Sequence, residues 1–307
     1  MVVTGGAGFI GSHTVRLLAS RGLGVVALDV AAEPRLPFPP GVRLVIADVA
    51  VWGSLWQHLR PLRGNLTGII HLAAVVSIEE ARQNPLRALR VNVEGTLNVL
   101  EAARRLDVET VVYASSAAVY GEPRYLPVDE AHPRSPANFY GDTKLMGEML
   151  VERYAADYGI RTVSLRYFNV YGPGMRGGPY AGVIHAFIES LLRRKPPTIY
   201  GDGEQTRDFV YVEDVAEANY LALVASNTRG TINIGTGVET SINKLYKMIC
   251  RIVGYCPEPR RAPPRPGDVR RSVASIEKAR HVLGWSPRVS LPEGLRLTVE
   301  WYRSIRV

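Results

Sequence analysis

Residues 139–144 read FYGDTK, which places a phenol, Tyr140, four positions ahead of an ammonium, Lys144. On a helix the two side chains share a face. A cation held beside a phenol can ready it to take a proton from a hydroxyl. The same spacing also arises from plain surface packing on a helix, so the meaning of the pair rests on the elements that position it.

Those elements are legible as alternation. Apolar residues recur at helical spacing through YGDTKLMGEMLVERYAADYG, HTVRLLASRG and LRALRVNVEGTLNVLEAARRL. Between such runs lie short β-branched stretches: MVVT, GVVALD, VRLVIAD, GIIHLAA, ETVVYASS and RTVSLRYFN. Strands joined by helices predict an α/β fold with a doubly wound parallel sheet of the Rossmann type. The alternation breaks after YGPG into Gly- and Pro-rich connections, so we expect a dinucleotide-binding domain over 1–171 and a smaller mixed α/β substrate domain over 172–307. The segment near 207–236 is expected to return to the sheet.

Directly after the first strand comes TGGAGFIGS. Gly6, Gly8 and Gly11 give G-x-G-x-x-G, and Gly5, Gly8 and Gly11 give the wider spacing. Glycine there lets the backbone turn tightly, admits a pyrophosphate and packs the next helix on the sheet. Asp29 closes the second strand, where a carboxylate accepts hydrogen bonds from a ribose and repels a 2′-phosphate, favouring NAD over NADP. Asp48 closes the third strand, placed either to reach adenine or to cap the helix VWGSLWQHL.

Composition narrows the class. The 307 residues are 46% hydrophobic and 21% charged, ordinary globular values. The net charge of +8 comes mostly from scattered Arg, which argues against a nucleic-acid stripe and leaves guanidinium groups for an anionic substrate. No run approaches the roughly 18 apolar residues of a membrane span. MVVTGG lacks the features of a signal peptide, so a cytoplasmic protein is expected. Cys250 and Cys256 form no metal motif or disulfide framework, and Cys250 in the pattern INKLYKMICRIVG reads as a buried thiol. The six His show no ligand spacing, and no metal is expected.

The chain resembles the extended short-chain dehydrogenase/reductase family, and within it the NAD-dependent nucleotide-sugar epimerases. The likeness is carried by TGGAGFIGS, HLAA (71–74), SSAAVYG (115–121), YGDTK, RYFNVYGP (166–173), GDGEQTRDFVYVEDV (201–215) and RPGD (265–268), in the family's order. It implies Tyr140 as catalytic base, Lys144 as its activator and Ser116 as the hydroxyl beside it. Lowering a phenol from about 10 to about 7 takes roughly 4 kcal/mol. One ammonium about 4 Å away at an effective dielectric of about 20 supplies on the order of that. The resemblance further implies NAD held by Gly5, Gly8, Phe9, Ile10, Gly11, Asp29, Asp48, Val49, Leu72, Ala73, Ala74, Asn92, Ser115, Tyr140, Lys144 and Tyr167, with Phe168 alongside. A UDP-sugar would meet Ser116, Tyr140, Asn169, Arg207, Arg265, Asp268 and Ser272. The implied reaction interconverts UDP-glucose and UDP-galactose: Tyr140 takes the C4 hydroxyl proton, hydride passes to NAD, and the 4-keto sugar rotates and takes the hydride back.

Related dehydratases carry an acid just after the Ser or Thr, whereas here Ala117 and Ala118 follow Ser116, which favours epimerisation. Ser272 stands where a bulky Tyr would narrow the sugar pocket, so UDP-N-acetylhexosamines are expected to fit. Val76 replaces a Lys that some relatives place near the cofactor. Arg207 reads alternatively as an ion pair with Glu204 or Asp208, and Arg265 as a solvated face. A uronate epimerase, with Arg82, Arg87 or Arg176 facing the sugar carboxylate, a reductase, and a non-catalytic NAD-binding scaffold remain the other readings. Family likeness implies a homodimer built on the helices near 86–105 and 138–158.

Overall fold

The computed structural model describes residues 1–175, 182–264 and 268–305. Chain order begins β1 (Val2–Thr4), α1 (Phe9–Ser20), β2 (Val26–Asp29), β3 (Arg43–Ile46), α2 (Trp52–Leu59), β4 (Gly68–His71), α3 (Ile78–Gln83), α4 (Pro85–Leu89) and α5 (Gly95–Arg105). It continues with β5 (Thr110–Ser116), α6 (Phe139–Tyr158), β6 (Arg161–Tyr167), β7 (Asn169–Tyr171), α7 (Val183–Leu192), β8 (Thr198–Tyr200), β9 (Thr206–Tyr211) and α8 (Val212–Val224). Last come β10 (Gly230–Ile234), β11 (Glu239–Ser241), α9 (Ile242–Val253), β12 (Arg260–Ala262), α10 (Glu277–Leu283) and α11 (Leu291–Ser304).

Seven strands form one sheet in the order β10-β6-β5-β4-β1-β2-β3, every pair parallel. Strands covered on both faces read as continuous apolar runs, as β1 and β4 do with every residue buried. One face carries α1 and α8, with Val15, Leu18, Val215 and Ala218 in the core. The other carries α2, α5 and α6 over Leu55, Val99, Leu100 and Val151. Strand order reverses between β1 and β4, and a crevice opens beyond the carboxyl ends at such a switch point. The doubly wound parallel sheet is the fold the alternation predicted.

A second core lies apart, built by α7, α9 and α11 with β7 and β9 around Phe187, Leu245, Ile249 and Val299. A three-stranded sheet β11-β9-β7 and a two-stranded sheet β12-β8 complete this region. Four of its five strands have only three residues each, and these, with helix α11 after a Pro-rich stretch, gave no clear periodic signal.

Two expectations change. The run 86–106 is not one helix, because a π-helical turn at Arg90–Glu94 separates α4 from α5. That turn carries the buried Asn92, whose amide bonds the Val75 backbone on both its N–H and C=O, at 2.7 and 2.9 Å. Cys250 is no free thiol: it is disulfide-bonded to Cys256, six residues on. Gly254 (φ 79°) ends α9 in the left-handed region and turns the chain back toward Cys250. On the loop-entropy relation this small ring stabilises the fold by about 2 kcal/mol. Reducing the disulfide, or replacing Cys256→Ser, should therefore lower unfolding stability by about 2 kcal/mol in denaturant titrations, with far-UV circular dichroism unchanged.

Candidate active site

One cleft of about 1470 Å³ runs along the carboxyl edge of the large sheet and on toward β7 and β9. It is lined by Gly5, Gly8, Phe9, Ile10, Gly11, Asp29, Asp48, Val49, Leu72, Ala73, Ala74, Ser115, Ser116, Tyr140, Lys144, Tyr167, Phe168, Asn169, Arg207, Asp268 and Ser272. Residues from all parts of the sequence thus meet on one surface. Two expected residues are not among them. Asn92 stands behind the wall, with its amide committed to Val75 and to the Thr143 hydroxyl at 2.9 Å, so it braces the cleft without facing it. Arg265 lies outside the described residues, as does Arg176.

The glycine loop is shaped for close approach. Gly5 sits at φ +68°, and a Cβ there would stand 2.6 Å from the Ala73 nitrogen. A Cβ on Gly11 would stand 2.0 Å from the Gly5 carbonyl, so α1 can start against the loop only with glycine there. No side chain caps α1 at Gly8. Its first N–H groups, which a helix cannot satisfy internally, therefore end at the cleft with the positive end of the helix dipole, a fit for a pyrophosphate. The Asp29 carboxylate is held by Ala7 and Ala31 N–H groups, both at 3.0 Å, one on each oxygen. Each oxygen keeps a lone pair for a ribose diol. Asp48 accepts the Ala50 N–H at 2.9 Å and does not cap α2, whose cap position is Val51. Val76, 68% exposed, also lines this stretch, with Arg87 beside it 3.3 Å from Glu80.

The opposite wall is made by α6 lying on β5. Asn138 accepts the Gly141 N–H at 3.0 Å and caps α6, whose far end closes at Gly159 (φ 71°). Gly147 must lack a side chain, because its Cβ would stand 2.1 Å from the Tyr113 hydroxyl. At this contact Lys144 is buried, with Nζ donating to the Ala114 carbonyl at 2.9 Å and lying 5.2 Å from the centre of the Tyr113 ring. Burial lowers its pKa to about 7, while the Glu148 charge works the other way. His71, between Thr4 and Thr96 hydroxyls, is brought to about 3 by burial and by Lys144, so it stays neutral. Ser116 ends β5, and its hydroxyl accepts the Ala118 N–H at 3.2 Å.

The electrostatics of Tyr140 differ from expectation. Burial pushes the phenol above its ordinary pKa, and the hydrogen bond with Ser116 opposes this. The anticipated lowering by Lys144 does not govern here, since the ammonium is committed to the Ala114 carbonyl and the Tyr113 face. What the wall offers is a protonated phenol paired with a hydroxyl, one turn before a cation whose charge is finely balanced near neutral pH.

Sequence reasoning missed the support beneath this wall. Glu148, one turn beyond Lys144, is buried and bidentate to Arg166 at 2.8 and 2.7 Å, and it accepts the Ser115 hydroxyl at 2.5 Å. The repeat Tyr140, Lys144, Glu148 along one helical face was the available signal. Tyr167 presents its ring, because its hydroxyl is spent on Asn219 at 2.5 Å. Arg207 pairs with neither Glu204 nor Asp208; it donates to Asp268 and to the Thr206 carbonyl.

Lys144 should cost the fold stability while it remains charged. Replacing Lys144→Met removes the buried cation, so the variant should be more stable than the parent, by most below pH about 7. Above that value the native lysine sheds its proton while the unfolded one, at 10.5, keeps it. The advantage of the variant should accordingly shrink as pH rises from neutrality toward 10.5, as read by chemical denaturation across that range.

Comparison with known proteins agrees with this geometry. Residues 1–235 match the family described as "NAD dependent epimerase/dehydratase family". A putative UDP-glucose 4-epimerase of Methanocaldococcus jannaschii is 42% identical over 306 residues, covering 99% of this chain and 98% of that protein. The crystal structure of the UDP-glucose 4-epimerase of Thermotoga maritima with UDP-glucose superposes with a TM-score of 0.95 at 38% identity, over 100% of this chain and 99% of that one. A UDP-N-acetylglucosamine 4-epimerase of Methanobrevibacter ruminantium, in complex with UDP-N-acetylmuramic acid, gives 0.92 at 33% identity, over 99% and 98%. With the sheet, the glycine loop and the Ser116, Tyr140 and Lys144 wall in one cleft, the chain belongs to the NAD-dependent epimerase/dehydratase family.

Proposed function

We propose that the chain is a UDP-glucose/UDP-galactose 4-epimerase that also accepts UDP-N-acetylhexosamines. The carrying observation is that Ser116, Tyr140 and Lys144 line the same cleft as the capless start of α1, with Ala117 and Ala118 where a dehydratase would need an acid. Bound NAD supplies the hydride acceptor and donor for C4 of the sugar. Tyr140 and Ser116 hold and move the proton of the O4 atom. Lys144 fixes the charge beside them and stands ready for the ribose hydroxyls nearest the reacting carbon. Asn169 and Arg207 take the diphosphate, with Arg265 as a second guanidinium, and Asp268 takes the uridine ribose; paired donors on Arg suit that anion.

The small side chains of Ala117, Ala118, Gly121 and Ser272 along the cleft support room for an acetamido group. A second reading, a hexuronate 4-epimerase, draws on Arg87, which lines the cleft and could face a sugar carboxylate. We divide the chain into a cofactor half, 1–171, and a substrate half, 172–307; of the segment 207–236 expected to return to the first, α8 and β10 do, while β9 pairs with β7 and β11 in the second. The pairing of β10 with β6 and the packing of α8 on α1 support that division. Among the described residues no helix is long and apolar enough to cross a membrane. We assign the protein to the cytoplasm.

Incubated with UDP-galactose and no added cofactor, the purified protein should yield UDP-glucose, seen in the anomeric region of the proton NMR spectrum. Absence of conversion even with NAD supplied would overturn the hexose assignment and bring UDP-glucuronate forward. A homodimer completes the proposal. Leu86 on α4 and Met149 on α6 are 73% and 58% exposed, and Leu97, Met146 and Tyr158 on α5 and α6 are exposed with them. An apolar surface spread over neighbouring helices marks a contact face. Met149→Arg should convert a dimer into a monomer in light scattering, while a parent that already runs as a monomer would refute the assembly.

A further inference from the structure

Side chains of a strand alternate between its faces. Along β9, Arg207 and Phe209 line the cleft, while Asp208 and Val210 turn inward and are buried. The Asp208 carboxylate gathers four hydrogen bonds. Thr236 gives its N–H at 2.7 Å and its hydroxyl at 2.6 Å to one oxygen. Gly237 and Ala274 give their N–H groups at 2.9 and 3.1 Å to the other. Every donor is neutral, and burial raises the pKa of the group against the pull of these bonds. A buried carboxylate is costly unless its lone pairs are all met. Room is made for it as well, since a Cβ on Gly235 would stand 2.7 Å from its Oδ2.

The donors explain why a carboxylate stands there. Ala274 belongs to the segment 268–275, a strap that brings Asp268, Val269 and Ser272 to the cleft. Main-chain bonds hold the strap on two sides. Thr206 donates to the Arg270 carbonyl at 3.0 Å; Val128 donates to Val273 at 2.8 Å, and Ser275 donates to Val128 at 2.7 Å. Such bonds repeat along a chain, and a slip by one residue exchanges the side chain presented to a given place. Here a slip would bring Arg271 or Val273 to the position of Ser272. Asp208 joins three segments at one carboxylate, the strap, the turn at Thr236–Gly237 and the strand carrying Arg207, adding to the Thr206 bond and the Arg207–Asp268 pair that also link strap and strand.

We propose that Asp208 is a positioning residue for the nucleotide-sugar: it locks the register of the strap 268–275 against β9, so that Arg207, Asp268 and Ser272 face one substrate, and thereby sets which sugars fit. The inference rests on the reading that Ser272 faces the sugar. Among the described residues the Asp208 side chain is bonded to Thr236, Gly237 and Ala274, away from the glycine loop and α6, so its effect falls on substrate binding and spares the reacting groups.

The test uses the purified holoenzyme with UDP-glucose and UDP-N-acetylglucosamine as probes. Asp208→Asn keeps the shape but turns an amide NH₂ toward two of the four donors. KM for UDP-glucose should rise by about tenfold, equivalent to roughly one charged hydrogen bond, with kcat and the NAD content of the protein unchanged. Ser272→Tyr alone should selectively weaken use of the acetylated sugar, and that discrimination should blur when combined with Asp208→Asn. Unaltered KM and sugar preference in Asp208→Asn would overturn the lock, and so would a parallel fall in kcat, NAD content and substrate binding. If that variant does not fold, Thr236→Val, which removes one donor and leaves the carboxylate, should raise KM about twofold, and an unchanged KM there refutes the proposal equally. Should Ser272→Tyr spare the acetylated substrate while Asp208→Asn still raises KM, the reading of Ser272 fails and the lock stands.

Discussion

The seating of α6 on β5 is the contact on which the rest of the site depends. Little more than one turn of the helix makes three contacts of different chemistry: Lys144 to the Ala114 carbonyl, Gly147 against the Tyr113 hydroxyl, and Glu148 to Ser115 and to Arg166 of the neighbouring β6. A buried ion pair is weak grounds for stability, since desolvating both partners offsets their attraction. What such a pair does well is to exclude other arrangements. With Glu148 required to meet Arg166, the helix can neither rotate nor slide, and Tyr140 two turns earlier has one position above Ser116.

The burial that fixes the geometry also sets the charges. Lys144 would hold a proton firmly in water, and within this wall it gives that proton up above about pH 7. The phenol is driven in the direction of staying protonated. Here the phenol is the group kept protonated, and Lys144 is the one whose charge changes near neutral pH. His71, close enough to feel Lys144, is kept neutral and adds no competing cation.

Much of this was legible in the residues. Alternating strand and helix patterns specified the parallel sheet because its central strands are buried on both faces, and the glycine spacing specified the loop because only glycine tolerates approaches of 2.0 to 2.6 Å. The residues that build the two walls of the cleft were likewise visible as motifs. What stayed hidden depends on contacts between distant segments. Asn92 was expected at the cofactor on the family resemblance, and only the π-helical turn shows its amide aimed at Val75. The pairing of Glu148 with Arg166 and of Arg207 with Asp268 joins residues 18 and 61 positions apart, which no local periodicity encodes. The short strands of the second core are set by their neighbours more than by their own sequence, and the disulfide depends on the turn at Gly254.

One feature of the sheet bears on how the cleft can breathe. β10 follows α8 and lies at the edge of the large sheet beside β6, with Asn233 tied to Tyr120 at 2.6 Å and to the Val128 carbonyl at 2.9 Å. The chain thus leaves the sheet after β6, builds β9 beside the cleft, re-enters at β10 and leaves again for the second core. Sewn through in this way, the molecule has no single thread about which one side could swing freely from the other. Crossings of the chain at several places favour small displacements of loops and side chains around the mouth over a swing of one side. A molecule that turns over inside such an enclosure is kept from drifting away before it has been restored.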